Sequence, residues 1–314
     1  MPLPSQPLQA GDGSRPPARG RFAPTPSGPL HAGSVLAAIG SYLSVKAIGG
    51  EWYLRMEDLD RPRQKPGAAA TIQRQLERLA LEWDDAVLWQ SEHRERYRAA
   101  LDSLIAAGAA FPCGCSRAAL QQNAGHCPCR ERLPVAARAW RLRPMEMATA
   151  VWEDRWRGPQ IPPALRPPPA LLRADGIVAY VLAAVVDDGF QGISEVVRGE
   201  DLLPLTGVQR QLQTHLGLPH PSYAHLPLLR DERGRKLSKS AGAPACDTPP
   251  EQAWEASLRY LGWDLPKTLQ GADARTLRDW ALQCLREGAP LWPRAPKART
   301  SSTGPREGDS PFQK

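Results

Sequence analysis

Nowhere in the 314 residues does an uncharged apolar run reach about 18 residues, roughly what a helix needs to cross a bilayer. The N-terminus lacks a basic stretch followed by an apolar core, so neither a membrane span nor a secretory leader is expected, and the cytoplasm is the default location. No internal repeat is present, which argues against repeat architectures. Cysteines number only six, and in a reducing compartment they are not expected to form a disulfide framework. What remains is an ordinary globular chain. With 42% hydrophobic residues it can bury one sizeable core and carry a second small module. Its 40 basic residues, most of them arginine, and its net charge of +7 fit a polyanionic partner, although net charge alone speaks to non-specific attraction.

Residues 1–19 and 295–314 are Pro/Gly-punctuated and polar without periodicity, and read as disordered tails. Between them an alternation starts: a strand over 20–23, a helix over 33–48, a strand over 51–56, and helices over 67–81 and 92–108. This alternation predicts an α/β fold, a Rossmann-type doubly wound parallel sheet. It breaks over 111–170, where cysteines, arginines and the Pro-rich stretch Pro159 to Pro169 replace clean periods, so an insertion is expected between a first half (20–110) and a second half (171–240). A strand is expected from Ile177 to Val186, another from Ile193 to Val197, then a helix from about Leu205 to Leu216. A short helical stem is expected over 241–294.

Two distant segments carry phosphate chemistry. Pro24-Thr25-Pro26-Ser27-Gly28-Pro29-Leu30-His31-Ala32-Gly33-Ser34 follows the first strand and opens a helix, where backbone amides favour anions. Gly28 and Gly33 allow close backbone approach. Late in the chain, Lys236-Leu237-Ser238-Lys239-Ser240 offers two cations in a serine-rich loop able to swing onto phosphates. Together they predict an ATP site, with Mg²⁺ accompanying the nucleotide, ATP-binding positions Gly28, His31, Gly33, Ser34, Lys236, Ser238 and Lys239, and His31 and Lys239 as catalytic groups. An ordinary turn histidine and a solvated basic loop are the bland alternatives; the pairing in this order favours the functional reading.

The insertion holds Cys113-Gly114-Cys115 and Cys127-Pro128-Cys129, a spacing compatible with one tetrahedral structural Zn²⁺. His126 is a rival ligand, and unligated thiols remain an alternative. Cys246 and Cys284 read as small apolar fillers. Arginines 130, 132, 138, 141, 143, 155, 157 and 166 crowd the insertion and its exit. Interleaving by Trp140, Trp152 and Trp156 is consistent with RNA, whose bases stack on aromatics, or with a small core of the module itself.

The two phosphate segments resemble the HIGH and KMSKS signatures of class I aminoacyl-tRNA synthetases, and the surroundings are similar to the glutamyl branch. Ser34 stands where the family has its second histidine. The resemblance, which covers roughly residues 20 to 290, implies L-glutamate as substrate. It carries Arg21, Ala23, Ser27, Glu57, Tyr180 and Arg198 onto the amino-acid pocket, with Glu57 on the α-ammonium. The chemistry agrees, since a substrate with two carboxylates and one ammonium asks for two guanidiniums and an acid. The family's insertion approaches the tRNA acceptor arm.

Only 74 residues follow Ser240, so a large anticodon-binding domain is not expected. That architecture resembles the glutamyl-queuosine tRNA(Asp) synthetases, which adenylate glutamate without tRNA and attach it to the queuosine base of the tRNA(Asp) anticodon loop; a monomer is expected. Rivals are a shortened glutamyl-tRNA synthetase charging a 3′ end, a non-catalytic RNA-binding paralogue, and another nucleotidyltransferase sharing both signatures.

Overall fold

The structure, a computed structural model, describes residues 16–144, 151–229 and 248–292. In chain order the elements are β1 (Arg19–Phe22), α1 (Ala32–Lys46), β2 (Glu51–Met56), α2 (Ala68–Arg78), β3 (Leu88–Trp89), α3 (Arg94–Ala106), β4 (Ala110–Cys113), α4 (Arg117–Gln122), β5 (Ala139–Leu142), β6 (Trp152–Asp154), β7 (Gly158–Gln160), β8 (Ala170–Leu172), α5 (Tyr180–Phe190), β9 (Glu195–Gly199), α6 (Leu203–His215), β10 (Ser222–Leu226), α7 (Pro250–Leu261) and α8 (Ala274–Arg286). A seven-stranded sheet runs β3-β2-β1-β9-β10-β6-β7. Its pairings are parallel except β7, which turns back on β6. The order reverses between β1 and β9, the position at which doubly wound sheets open a ligand crevice beyond their carboxyl ends. A separate antiparallel sheet, β4-β5-β8, carries the cysteines.

Two expectations need correction. Ile177 to Val186 is not a strand: α5 begins at Tyr180 and runs to Phe190. A continuous apolar run has neither period, so burial on all sides reads the same in a helix and a strand. Here residues 181 to 188 are all buried. Asp187 and Asp188 lie inside the helix because the sheet beneath offers them arginines. Residues 152–160 also leave the inserted stretch, since β6 and β7 extend the main sheet beyond β10.

The pleat divides the sheet residues between two faces. Phe22, Trp52, Leu54, Met56, Val197, Ala224 and Leu226 join one core with α1, α2, α7 and α8. Helix α1 is buried nearly all round because α7 and α8 cover its outer side. Gly20 and Gly40 allow its close approach: a Cβ at either would stand 2.9 Å from Val45 or Leu226. Trp254 closes that layer, its indole N–H donating to the Leu79 carbonyl at 2.8 Å. The residues between these, Arg21, Tyr53, Arg55, Val196, Arg198, Tyr223 and His225, take the alternate positions, and the charged ones bond α5 and its neighbours. Among the described residues no helix is long and apolar enough to cross a membrane.

Candidate active site

The loop leaving β1 is tied to the exit of β2. Glu57 N–H donates to the Pro24 carbonyl at 3.0 Å, and Lys65 N–H donates to Pro26 at 3.0 Å. Gly28 adopts φ +136°, a region that strains any side-chain-bearing residue. His31 caps α1. Its Nδ1 accepts from the Ser34 amide at 3.2 Å, so the ring proton of the neutral form lies on Nε2, 3.1 Å from Ser34 Oγ. The serine that replaces the family's second histidine thus orients the first. Ser34 and Gly33 lie in the first turn of α1, where the orphan amides of the helix face outward. Lys236, Ser238 and Lys239 lie outside the described residues, as does Cys246.

Arg21, Glu57, Tyr180 and Arg198 come together at the carboxyl ends of β1, β2 and β9. Arg21 Nε donates to Asp188 at 3.1 Å, and Arg55 Nη2 donates to the same carboxylate oxygen at 2.8 Å. Arg198 Nη1 reaches the Tyr180 hydroxyl at 3.3 Å. Burial raises the Tyr180 phenol, and its surroundings include the charges of Arg198, Glu57, Arg21 and Asp188. Ala23 and Ser27 are half-buried on the adjoining loop.

Glu57 is unusual. Burial pushes its carboxyl up to about 7, although Arg55 and Arg21 pull the other way. Asp188, by contrast, lies below the ordinary carboxylate range: burial opposes its charge, but Arg21 and Arg55 more than offset that. Asp187 completes the layer, accepting from Gln90 at 2.8 Å and from Tyr97 at 2.9 Å, with Arg96 at 3.5 Å. Sequence reasoning missed Arg55, Asp187, Asp188, Asp154 and His225. The legible signal was a pair of adjacent acids in an apolar run, alongside strands that carry arginines at Arg21, Arg55 and Arg198 among apolar neighbours.

Cys113, Cys115, Cys127 and Cys129 place their sulfurs within 4.8 Å of one another. Cys113–Cys127 and Cys115–Cys129 are 3.5 and 3.6 Å apart. A tetrahedron with metal–sulfur bonds of about 2.3 Å has edges of about 3.8 Å, whereas a disulfide needs about 2.05 Å. The cluster could hold a metal ion. His126 is exposed and lies outside it. Burial and neighbouring sulfurs push the Cys115 and Cys127 thiols to about 11 and about 12, a crowding that a bound cation would relieve.

The basic run divides. Arg130, Arg132, Arg138 and Arg166 are exposed, whereas Arg155 pairs with Glu195, Arg157 with Glu200, and Arg141 with Cys113 and the Pro168 carbonyl. Trp152 and Trp156 are buried against Tyr223 and Trp292. They therefore make no base-stacking surface, and they serve the main sheet rather than the inserted module.

Fold and site define a class I aminoacyl-tRNA synthetase catalytic domain. The family model described as tRNA synthetases class I (E and Q), catalytic domain, matches residues 17–166 and 141–257, and the chain belongs to that family. Within it the chain groups with proteins named glutamyl-Q tRNA(Asp) synthetase. One from Thiobacillus denitrificans is 48% identical over 278 residues, covering 83% of this chain and 91% of the relative. One from Aromatoleum aromaticum is 44% identical over 284 residues, covering 86% and 90%. The chain is accordingly a glutamyl-type synthetase, a ligase. The solved glutamate-tRNA synthetase of Elizabethkingia anophelis superposes with a TM-score of 0.69 at 25% identity, covering 83% of this chain and 65% of that one, so the chain spans about two-thirds of that structure's length.

Replacing Asp188 with alanine strands Arg21 and Arg55 in the interior, and should cost about 3–5 kcal/mol of unfolding free energy, read by urea titration. Glu57 makes a prediction in pH. If its carboxylate receives an ammonium, kcat/KM for the amino acid falls about tenfold per unit below pH 7, and Glu57→Gln abolishes that limb. For stability the sign is opposite. A raised pKa favours the neutral carboxyl in the fold, so this contribution is full below the ordinary carboxylate range and declines as pH climbs through about 7. Glu57→Gln should therefore raise Tm at pH 8 and leave it little changed at pH 4.

Proposed function

We propose that this synthetase activates L-glutamate with ATP in the absence of tRNA, and transfers it to the queuosine base of the tRNA(Asp) anticodon. The observation that carries the reading is the meeting of Arg21, Glu57, Tyr180 and Arg198 beside the His31 loop at the reversal of strand order. Two guanidiniums and one acid match the charges of a dicarboxylic amino acid. The α-carboxylate attacks the α-phosphate of ATP, pyrophosphate leaves, and glutamyl-adenylate forms. A hydroxyl of the queuosine cyclopentene diol then attacks the acyl carbon, giving up its proton as AMP departs.

His31, Gly28, Gly33 and Ser34 line the proposed phosphate side, with Lys236 and Lys239 supplying cations that offset charge as the bond to pyrophosphate breaks, and Ser238 a hydroxyl donor. Mg²⁺ would travel with ATP. Arg21, Ala23, Ser27, Glu57, Tyr180 and Arg198 would hold glutamate. Cys113, Cys115, Cys127 and Cys129 would hold one structural Zn²⁺, whose service is to fix the β4-β5-β8 module. The reaction belongs in the cytoplasm, where tRNA resides. The names borne by relatives at 44–48% identity support this choice over charging of a tRNA 3′ end.

Glutamate-dependent ATP–pyrophosphate exchange should proceed without tRNA. Labelled glutamate should attach to queuosine-containing tRNA(Asp) even after trimming of its 3′ end, and not to tRNA(Asp) lacking queuosine. Equal labelling of intact queuosine-containing and queuosine-lacking tRNA(Asp), lost on trimming of the 3′ end, would transfer the assignment to the acceptor end, and a requirement for tRNA(Glu) in the exchange would end it. Purified protein should carry about one zinc per chain. Cys113→Ser should deplete it and lower Tm, as read by metal analysis and thermal melts.

A further inference from the structure

Behind Arg198, on the side away from Tyr180, lies a buried relay that no role above uses. Arg198 Nε is 3.0 Å from His225 Nε2, and His225 Nδ1 is 2.6 Å from Asp154 Oδ2. Exposure is 5% for Arg198, 0% for His225 and 1% for Asp154. The protons follow from donor chemistry. A guanidinium Nε can only donate, so His225 Nε2 accepts and the ring proton resides on Nδ1, where the carboxylate receives it. The other carboxylate oxygen, Oδ1, accepts the backbone amides of Trp156 at 3.0 Å, Arg157 at 2.8 Å and His225 at 3.2 Å.

The ring has no freedom to turn. It stacks on Tyr223 with centroids 6.0 Å apart and meets Trp152 edge-on at 5.8 Å. Burial pushes the imidazole down to about 4, with Asp154 opposing and Arg198 and Arg21 adding to the effect, so it stays neutral beside the guanidinium. Thr206 Oγ1 and the Leu202 carbonyl accept from Arg198 Nη2 at 2.9 and 3.4 Å. With Nε and Nη2 so committed, the edge of Arg198 left toward the pocket is Nη1, beside Tyr180.

We propose that Asp154 and His225 are positioning residues for amino-acid recognition: they set the plane of the Arg198 guanidinium so that its Nη1 edge meets a substrate carboxylate. The inference deepens the proposed function and rests on its assignment of Arg198 to glutamate. Neither residue touches substrate. Their effect passes through His225 Nε2, which accepts from Arg198 Nε–H and lies 3.1 Å from Thr206 Oγ1, itself an acceptor of Arg198 Nη2, so both contacts depend on the tautomer of His225.

That dependence gives the test, read in ATP–pyrophosphate exchange with the full chain. In Asp154→Asn the oxygen keeps the backbone amides while the introduced amide group donates to Nδ1, which drives the ring proton to Nε2 and against Arg198 Nε–H. KM for glutamate should rise roughly tenfold to hundredfold, the worth of a charged hydrogen bond, while KM for ATP stays within about twofold. His225→Phe should do the same. His225→Gln offers an acceptor with no tautomer and should restore KM to within about threefold of wild type. Adding Asp154→Asn to His225→Gln should then cost little more. A parallel rise in both KM values, an unchanged glutamate KM in a folded Asp154→Asn, or glutamine no better than phenylalanine at 225 would overturn the proposal; the 225 pair decides it should Asp154→Asn not fold. Absence of glutamate-dependent exchange in the wild type would instead strike the functional reading itself.

Discussion

The structure turns on how one face of a parallel sheet accommodates three arginines. Arg21, Arg55 and Arg198 occupy inward positions on β1, β2 and β9 and are each at most 5% exposed. Parallel strands of this kind are ordinarily apolar on both sides. A buried guanidinium without a partner would cost several kcal/mol, so the neighbouring elements are chosen by what they offer it. Helix α5 offers Asp187 and Asp188. β10 and β6 offer His225 and, behind it, Asp154. Helix α3 contributes Tyr97 and Arg96, which trim the charge of Asp187. The opposite face of the same strands is aliphatic and aromatic, and carries α1 with the helices that cover it. One sheet therefore has an apolar face that stabilises the fold and a charged face that carries the candidate site.

This division explains which parts of the molecule were legible in the sequence. β2 was read at its observed bounds, and β1, α1, α2 and α3 within a few residues, because their periods are clean and their ends are marked by glycine or by a polar cap. The cysteine pairs were legible through spacing alone. Helix α5 was not. Its apolar run faces core on every side, and only the two acids at its end distinguish it, through partners more than a hundred residues away in sequence. Nor could local pattern show that residues 152–160 return to the main sheet, because strands of three residues carry no period, and the parallel pairing of β6 with β10 is set by Asp154 and Trp152 packing against Tyr223 and His225.

The same reasoning holds for the site residues. Arg21, Glu57 and His31 sit at strand ends and at the start of a helix, positions that general rules for doubly wound folds single out. Tyr180 was assigned by family likeness with the wrong local structure attached to it: it opens α5 rather than continuing a strand. The supporting groups were invisible because a buried acid in a helix and a histidine in a strand look, by residue type alone, like ordinary exceptions to a hydrophobic pattern. Their meaning is in the pairing. Ser34 shows the converse. Read as a loss from a signature, it is in the structure a local partner of His31, bonded through both backbone and hydroxyl.

The two arginines proposed to meet substrate are backed by unlike chemistry, and the difference bears on what each can do. Arg21 shares Asp188 with Arg55, so its charge is partly balanced from behind by an anion held in its ionised form. Arg198 is backed by a neutral imidazole, with the anion of Asp154 one ring further away. At the short distances of a buried site, moving a countercharge back by the width of an imidazole weakens its attraction considerably, while the hydrogen bond that orients the guanidinium is retained. Orientation and neutralisation are thus separated at Arg198 and combined at Arg21. Glu57, closer to the arginine whose charge is already offset, is left with a carboxyl that gives up its proton only near neutrality. An incoming group bearing one positive and two negative charges would complete all three. In the proposed function the ammonium would favour the ionised form of Glu57, whose proton leaves to solvent, and the carboxylates would supply what the sheet withholds from Arg21 and Arg198.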